Sequence, residues 1–233
     1  FYVPEINAVV TIGESSVRAS RSGEEIWRID CDAAIASMPV LEGSSLYFAT
    51  TRGAVSRLDC ATGTIAWTTL ADGAAYLALD GTGIYYAARQ GAVGRIDRRG
   101  ELQWKSSIEG EISAAPVLSR HMALFPTAKG VLVGIDKYRG LGAITVRFTG
   151  RIAALGTMKD MVYAATDDGV LSAYNMKESR VEWRYPVSGG FTGDMIVKND
   201  SVYVFTRGGS VHRVSIAGEQ IWTRDSGNPL VKR

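Results

Sequence analysis

"LDCATGTIAW", Leu58–Trp67, is an apolar residue, an Asp, a Thr-Gly turn, a short β-branched run and a Trp. Either Asp59 and Cys60 form a local site, or the stretch is one copy of a recurring unit. Trp27, Trp67, Trp104, Trp183 and Trp222 stand 40, 37, 79 and 39 residues apart, so the double-length gap hides one more unit. "GAITVRF", Gly142–Phe148, fills that gap and puts Val146 in the Trp slot. The six outer segments then read "GEEIW", "GTIAW", "GELQW", "GAITV", "SRVEW" and "GEQIW". The stretch is a repeat unit and not an isolated site.

Upstream of each outer segment stands a second alignable one: "AVVTIGESSV", "LYFATTRGAV", "IYYAARQGAV", "ALFPTAKGVL", "VYAATDDGVL" and "VYVFTRGGSV". Each is a β-branched and aromatic run, a Gly-bearing or polar turn and a resumed apolar run, the pattern of a hairpin. Five of the six also follow another short apolar run. Units of about 39 residues with four short strands each, and no helical periodicity, read as blades of a β-propeller, because one blade alone cannot bury both faces. The expectation is an all-β, six-bladed propeller forming a single domain over 1–233. Its blades fall near 1–30, 31–70, 71–108, 109–149, 150–187 and 188–226, and 227–233 is a candidate ring-closing strand.

Composition narrows the function. With 46% hydrophobic and 21% charged residues the chain has the balance of a globular protein. A formal charge of +2, spread in ones and twos, lacks the concentrated basic footprint that nucleic acid requires. No apolar run approaches the roughly 18 residues that span a bilayer. The first residues, "FYVPEINAVV", carry no basic n-region or apolar h-region. A soluble chain with a trimmed N-terminus is expected, compatible with a lipid anchor further upstream.

Asp59, Thr62, Gly63 and Trp67 resemble the tryptophan-docking motif of pyrroloquinoline-quinone-like, or quinoprotein-dehydrogenase-like, propellers, roughly A-x-D-x-x-T-G-x-x-x-W. Asp97, Gly100 and Trp104 keep it in blade 3, and Gly218 and Trp222 in blade 6. Blade 5 keeps Trp183 but has Asn175 for Asp and Ser179-Arg180 for Thr-Gly. WD and kelch signatures are missing. The resemblance implies that Trp27, Trp67, Trp104, Trp183 and Trp222 pack between blades while Asp59, Gly63 and Asp97 hold turns. Physically, a short carboxylate before a Gly turn bonds backbone N–H groups, and a Trp there buries a large aromatic surface.

The same resemblance implies two classes of relative: quinone- and Ca²⁺-dependent enzymes, usually larger, and non-catalytic outer-membrane-assembly propeller lipoproteins. Nothing in the sequence assembles a catalytic set. His121, before the second strand of blade 4, and His212, in the third strand of blade 6, lack partners at metal-ligand spacing. Cys31 and Cys60 fall on connections at opposite ends of the strands, so two free thiols are expected. No catalytic, cofactor-binding or metal residue is assigned, and no cofactor is expected. The units are all short, without pocket-building insertions.

One set of turns, between second and third strands, carries Glu14, Arg52, Arg89, Lys129, Asp167 with Asp168, and Arg207. The same turn in successive blades belongs on the same face, so Arg52, Arg89, Lys129, Asp168 and Arg207 form a candidate partner-binding rim around one mouth of the channel. Arg57, Arg95 and Arg213 recur in the third strand, where packed stems and paired heads between blades are expected. Blade 4 looks irregular, with Val146 for Trp, a lengthened outer turn in "KYRGLG" and a bulge at Pro126.

The resulting expectation is a non-catalytic scaffold that binds a protein partner through face loops, in a periplasmic or other extracytoplasmic setting of a bacterium. A small molecule in the central channel is a further permitted occupant. Two alternatives remain at this stage: a cofactor-binding quinoprotein dehydrogenase-like domain or fragment, and a ligand-sensing domain of a larger receptor or kinase.

Overall fold

The computed structural model describes residues 1–225. It contains six four-stranded antiparallel sheets, each a meander in chain order, and one short 3₁₀ turn, Pro4–Ile6. The first three sheets are β1 (Tyr2–Val3), β2 (Ala8–Ile12), β3 (Ser16–Arg21) and β4 (Glu24–Asp30); β5 (Val40–Glu42), β6 (Ser45–Ala49), β7 (Ala54–Asp59) and β8 (Thr64–Leu70); and β9 (Ala74–Asp80), β10 (Gly83–Ala88), β11 (Ala92–Ile96) and β12 (Leu102–Ser107). The other three are β13 (Val117–Leu118), β14 (Met122–Pro126), β15 (Val131–Asp136) and β16 (Gly142–Arg147); β17 (Ile152–Met158), β18 (Met161–Thr166), β19 (Val170–Asn175) and β20 (Arg180–Pro186); and β21 (Phe191–Lys198), β22 (Ser201–Thr206), β23 (Ser210–Ser215) and β24 (Gln220–Asp225). The six blades of the sequence reading are therefore present. The suggested closing strand, 227–233, lies outside the described residues. Contacts divide the chain into two compact units, Phe1–Pro116 and Val117–Arg233, each holding three sheets.

Strand composition explains the layering. Second strands such as "SLYFA" and "GIYYAA" are apolar on both faces and are buried throughout, whereas fourth strands such as "RVEWRYP" alternate and leave every second side chain in water. The core therefore lies at seams between consecutive sheets. Val10, Val17, Leu46, Phe48, Leu58 and Cys60 fill the first seam, and Leu171, Val187, Phe191, Val202 and Val214 the last in the second unit.

The fourth blade differs from its sequence reading in register. Every pair of third and fourth strands shifts by one residue, and just before the shift stand Trp27, Trp67, Trp104, Trp183 and Trp222. In the fourth blade that place belongs to Ile144, opposite Gly134, and not to Val146. The turn glycine is Gly140, at φ 69, and not Gly142. The Gly140 N–H donates to the Asp136 carbonyl as that of Gly63 does to Asp59, so the outer turn has the same length as in blade 2. Two glycines close together in "GLG" misplaced the alignment. The bulge expected at Pro126 is also absent: Pro126 ends β14 and pairs in register with Leu132. β13 reaches only Leu124 and Ala123, so the prolyl nitrogen falls where that ladder has already ended.

Both cysteines are free. The Cys31 N–H donates to Ser15 O and that of Cys60 to Ser44 O, placing them on connections at opposite strand ends. Cys60 is fully buried, and burial, with Asp59 second, pushes its thiol up to about 11. A raised thiol pKa means that the folded chain holds a proton which the unfolded chain releases above pH 9. Stability should fall as pH rises from about 9 to about 11 through this group. In alkylation at neutral pH followed by mass spectrometry, half-buried Cys31 is expected to label and Cys60 to stay protected until denaturant is added.

Candidate docking face

The turns between second and third strands are built to a common plan. Buried Thr50, Thr127, Thr166 and Thr206 begin them, and their carbonyls accept the N–H of Gly53, Gly130, Gly169 and Gly209. The hydroxyls of Thr127 and Thr206 also donate across the turn, to the Val131 and Ser210 carbonyls. This Thr-x-x-Gly signal stands in the sequence and was missed there; it occurs in four of the six hairpins. In blade 3 Ala88 takes the place of Thr.

In blades 2 to 5 the glycine carbonyl then ties the turn to the exit of its own blade. The carbonyls of Gly53, Gly91, Gly130 and Gly169 accept the N–H groups of Ala71, Ile108, Phe148 and Val187 at 2.7–2.9 Å. A Cβ on Gly91 would lie 2.1 Å from Ile108 O and one on Gly169 2.2 Å from Val187 O, and both have positive φ, so no other residue fits. Turn tips are thereby held rigidly on the sheet edge.

On these tips Arg52 and Arg89, in the first unit, and Lys129, Asp168 and Arg207, in the second, are all exposed. Arg52 lies 3.8 Å from Asp32, a contact worth little in water. Arg89 stacks over Tyr76, its guanidinium carbon 5.3 Å from the ring centre. With Ala36, Thr51, Gly73, Ala74 and Gln90 it lines an open depression of about 270 Å³. In the second unit the Asp168 carboxylate accepts the Thr166 hydroxyl at 2.5 Å, which holds its pKa below the usual carboxylate range. Asp167 accepts the Arg151 N–H and lies 3.5 Å from its guanidinium. The first unit thus offers two cations, and the second a mixed set.

At the opposite strand ends, the turns between third and fourth strands receive indoles. Trp27 lies on Gly63, Trp67 on Gly100 and Trp183 on Gly218, each ring so close that a Cβ on the glycine would fall within 2.8 Å. The indole N–H groups donate to Cys60 O (3.1 Å), Arg98 O (3.2 Å) and Ile216 O (2.9 Å) of the next blade. Asp59 Oδ1 accepts the Ala61 N–H, and Asp97 Oδ1 those of Arg99 and Glu101. Trp104 is buried, tilted against Tyr85 at 6.2 Å. Trp222 is half-buried beside Tyr203.

The recurrent third-strand arginines bond within their own blades: Arg57 donates to Ser45 Oγ, Arg95 to Thr82 O and Arg213 to Ser201 Oγ. Their heads are paired, as expected, here to hydroxyls and a carbonyl of the adjacent strand or turn. Arg98 does cross a seam. It pairs with Glu42, donates to the Tyr47 hydroxyl at 3.0 Å and lies over that ring. No sequence signal distinguished it from its neighbour Arg99.

His121 is exposed beside a hollow of about 100 Å³ that also touches Asp160 and Lys177. His212 faces Tyr185 and Thr223 across the strands. Among the described residues no group of three or more His, Cys, Asp or Glu converges as a metal site. Nor is any helix among them long and apolar enough to cross a membrane.

The family model described as outer membrane protein assembly factor BamB matches residues 5–83 and 89–232. No curated protein sequence matches the chain. Among solved structures, BamB from Moraxella catarrhalis is similar with a TM-score of 0.74 at 19% identity, over 96% of this chain and 75% of that one. The computationally designed Ika8 protein superposes with a TM-score of 0.79 at 15% identity, over 96% and 70% of the two chains. Sqt1 from Saccharomyces cerevisiae does so with 0.78 at 12% identity, over 96% and 72%. At such identities the structures show a shared β-propeller fold, whereas the family model reads this chain's own sequence over most of its length. Six four-stranded blades and that match together establish that the chain belongs to the family of outer membrane protein assembly factor BamB, a pyrroloquinoline-quinone-like β-propeller family.

Proposed function

We propose that the protein is a non-catalytic periplasmic scaffold of bacterial outer-membrane protein assembly, docking a protein partner on the turns between second and third strands. On this reading residues 1–233 act as one propeller domain. The observation that carries it is the repeated x-x-Gly turn: those bearing Arg52, Arg89, Lys129 and Asp168 are fastened to their blades by the glycine carbonyl, Arg207 stands on a turn of the Thr-x-x-Gly plan, and all five side chains are exposed. Rigid turns cost little ordering on binding, and arginine is a favoured residue at interface centres. The family's role in outer-membrane assembly supports the partner class and the compartment.

Charge reversal at Arg52, Arg89 and Arg207 is expected to leave the melting curve unchanged. It should weaken binding to purified outer-membrane assembly complex by roughly tenfold at low salt, with the difference shrinking as salt rises. Biolayer interferometry across a salt series measures this. Equal affinity of the triple variant and the wild type would remove this face from the docking surface.

A further inference from the structure

The depression beside Arg89 lies wholly within the first unit, between the second and third blades. Its floor is mostly main chain. Thr51 comes from the turn between β6 and β7, and Gly73 from the crossing turn Ala71–Ala74. In that crossing Asp72 and Gly73 both have positive φ, 43 and 79, and the Ala74 N–H donates to the Ala71 carbonyl. The two turns touch: the Ala71 N–H donates to Gly53 O, and a Cβ on Gly53 would fall 2.5 Å from Gly73 N. Ala75 then stands in a bulge of β9, between Ala74 and Tyr76, which pair with Ala88 and Ala87. Gly73 and the alanines put no side chain beyond Cβ into the space.

Two polar groups at its edge are uncommitted. Among the described residues neither the Arg89 guanidinium nor the Gln90 amide makes a hydrogen bond or an ion pair. The acids of the adjoining crossings face other cations: Asp32 lies 3.8 Å from Arg52 and Asp72 3.5 Å from Lys105. Arg89 is held instead on the face of Tyr76, and its own carbonyl accepts the Ile112 N–H at 2.9 Å. A stacked guanidinium keeps the N–H groups at its edges free, the geometry that takes a carboxylate through two hydrogen bonds. Gln90 Oε1 lies 3.7 Å from where a Cβ on Gly73 would be, so the amide reaches over the same floor. At about 270 Å³ the space falls below the roughly 300–1,000 Å³ of small-molecule sites, so it suits one part of a larger partner.

We propose that the depression receives a single acidic side chain of a docked protein, its carboxylate forked on Arg89 and its main chain against the Gln90 amide. This rests on the docking reading above and names what that face selects, an acidic residue in an extended segment. Titration of the isotope-labelled chain with the blocked peptide acetyl-Ser-Gly-Glu-Gly-Ser-amide, followed by NMR, tests it. Saturable shifts are expected at the amides of Thr51, Gly73, Ala75 and Gln90, with a dissociation constant on the order of millimolar. Replacing the peptide's Glu by Gln should weaken binding at least about tenfold, as should Arg89→Gln at an exposed position where folding is not at risk. Thr51→Trp, also at an exposed position, keeps every charge but fills the depression, and should weaken binding equally. Shifts that stay linear to tens of millimolar overturn the inference, and so does an unchanged constant for the Gln peptide, Arg89→Gln or Thr51→Trp. Because no assembly complex enters the titration, it can fail while the charge-reversal result at the docking face stands, and the reverse also holds.

Discussion

Gly63→Ala is expected to lower stability by about 3–5 kcal/mol, measured by urea unfolding of the whole chain. Two effects add. At φ 71 an L side chain costs roughly 1–2 kcal/mol by itself. The new Cβ would then lie 2.5 Å from Cγ and 2.7 Å from Cδ2 of Trp27, whose ring cannot retreat without breaking its 3.1 Å bond to Cys60 O and leaving the seam. Expelling the indole approaches the cost of deleting it. The protein supplies its own control. Gly23→Ala has the same kind of backbone, φ 88, and no described neighbour within 4 Å, so about 1–2 kcal/mol is expected there. If the two substitutions cost the same, backbone strain alone explains these glycines and indole docking contributes nothing.

The second large effect is a coupling. The fourth blade is the one with Ile144 in the tryptophan slot, and the fifth blade is the one with Ser179, at φ 52, where its neighbours have the turn glycine. The contacts at Gly63, Gly100 and Gly218 supply the reason: an indole on the turn leaves no room for a Cβ, so losing the indole frees the position for a side chain. Ile144 packs instead against a cluster that includes Tyr174 and Met176. Ile144→Trp alone should overpack this seam by about 1–3 kcal/mol. Ser179→Gly alone should change stability by less than about 1 kcal/mol, relief of strain being offset by a more flexible unfolded chain. Together the two should recover at least about 1 kcal/mol of the loss, and a double-mutant cycle reads that coupling directly. An additive result would mean that Ile144 and Ser179 changed independently.

The repeat, the blade count and the four-strand unit were legible in the sequence because each rests on local patterning: alternation within strands, glycine at turns, and a tryptophan at a fixed offset. The turns that carry Arg52, Arg89, Lys129, Asp168 and Arg207 were legible for the same reason, since topology alone sends equivalent turns to equivalent strand ends. The misreading at Val146 came from two glycines two residues apart, Gly140 and Gly142, of which only the first has positive φ. Sequence spacing cannot tell which of two glycines turns the chain; the hydrogen bond from Gly140 N–H to Asp136 O can. Arg57, Arg95 and Arg213 were recognised as a set with paired heads, but their partners were not legible, because a flexible head can reach several neighbours and only packing selects one.

In "LDCATGTIAW" the sequence by itself determined a turn, a strand and the place of both in a repeat, since these are decided by backbone preference and side-chain periodicity within a few residues. It could not determine that Trp27, thirty-six positions before Gly63, is the ring that makes that glycine obligatory. Nor could it separate Gly23 from the other turn glycines, which share the same local pattern. Contacts between blades are decided by what the neighbouring sheet presents, and that information exists only once the sheets are packed.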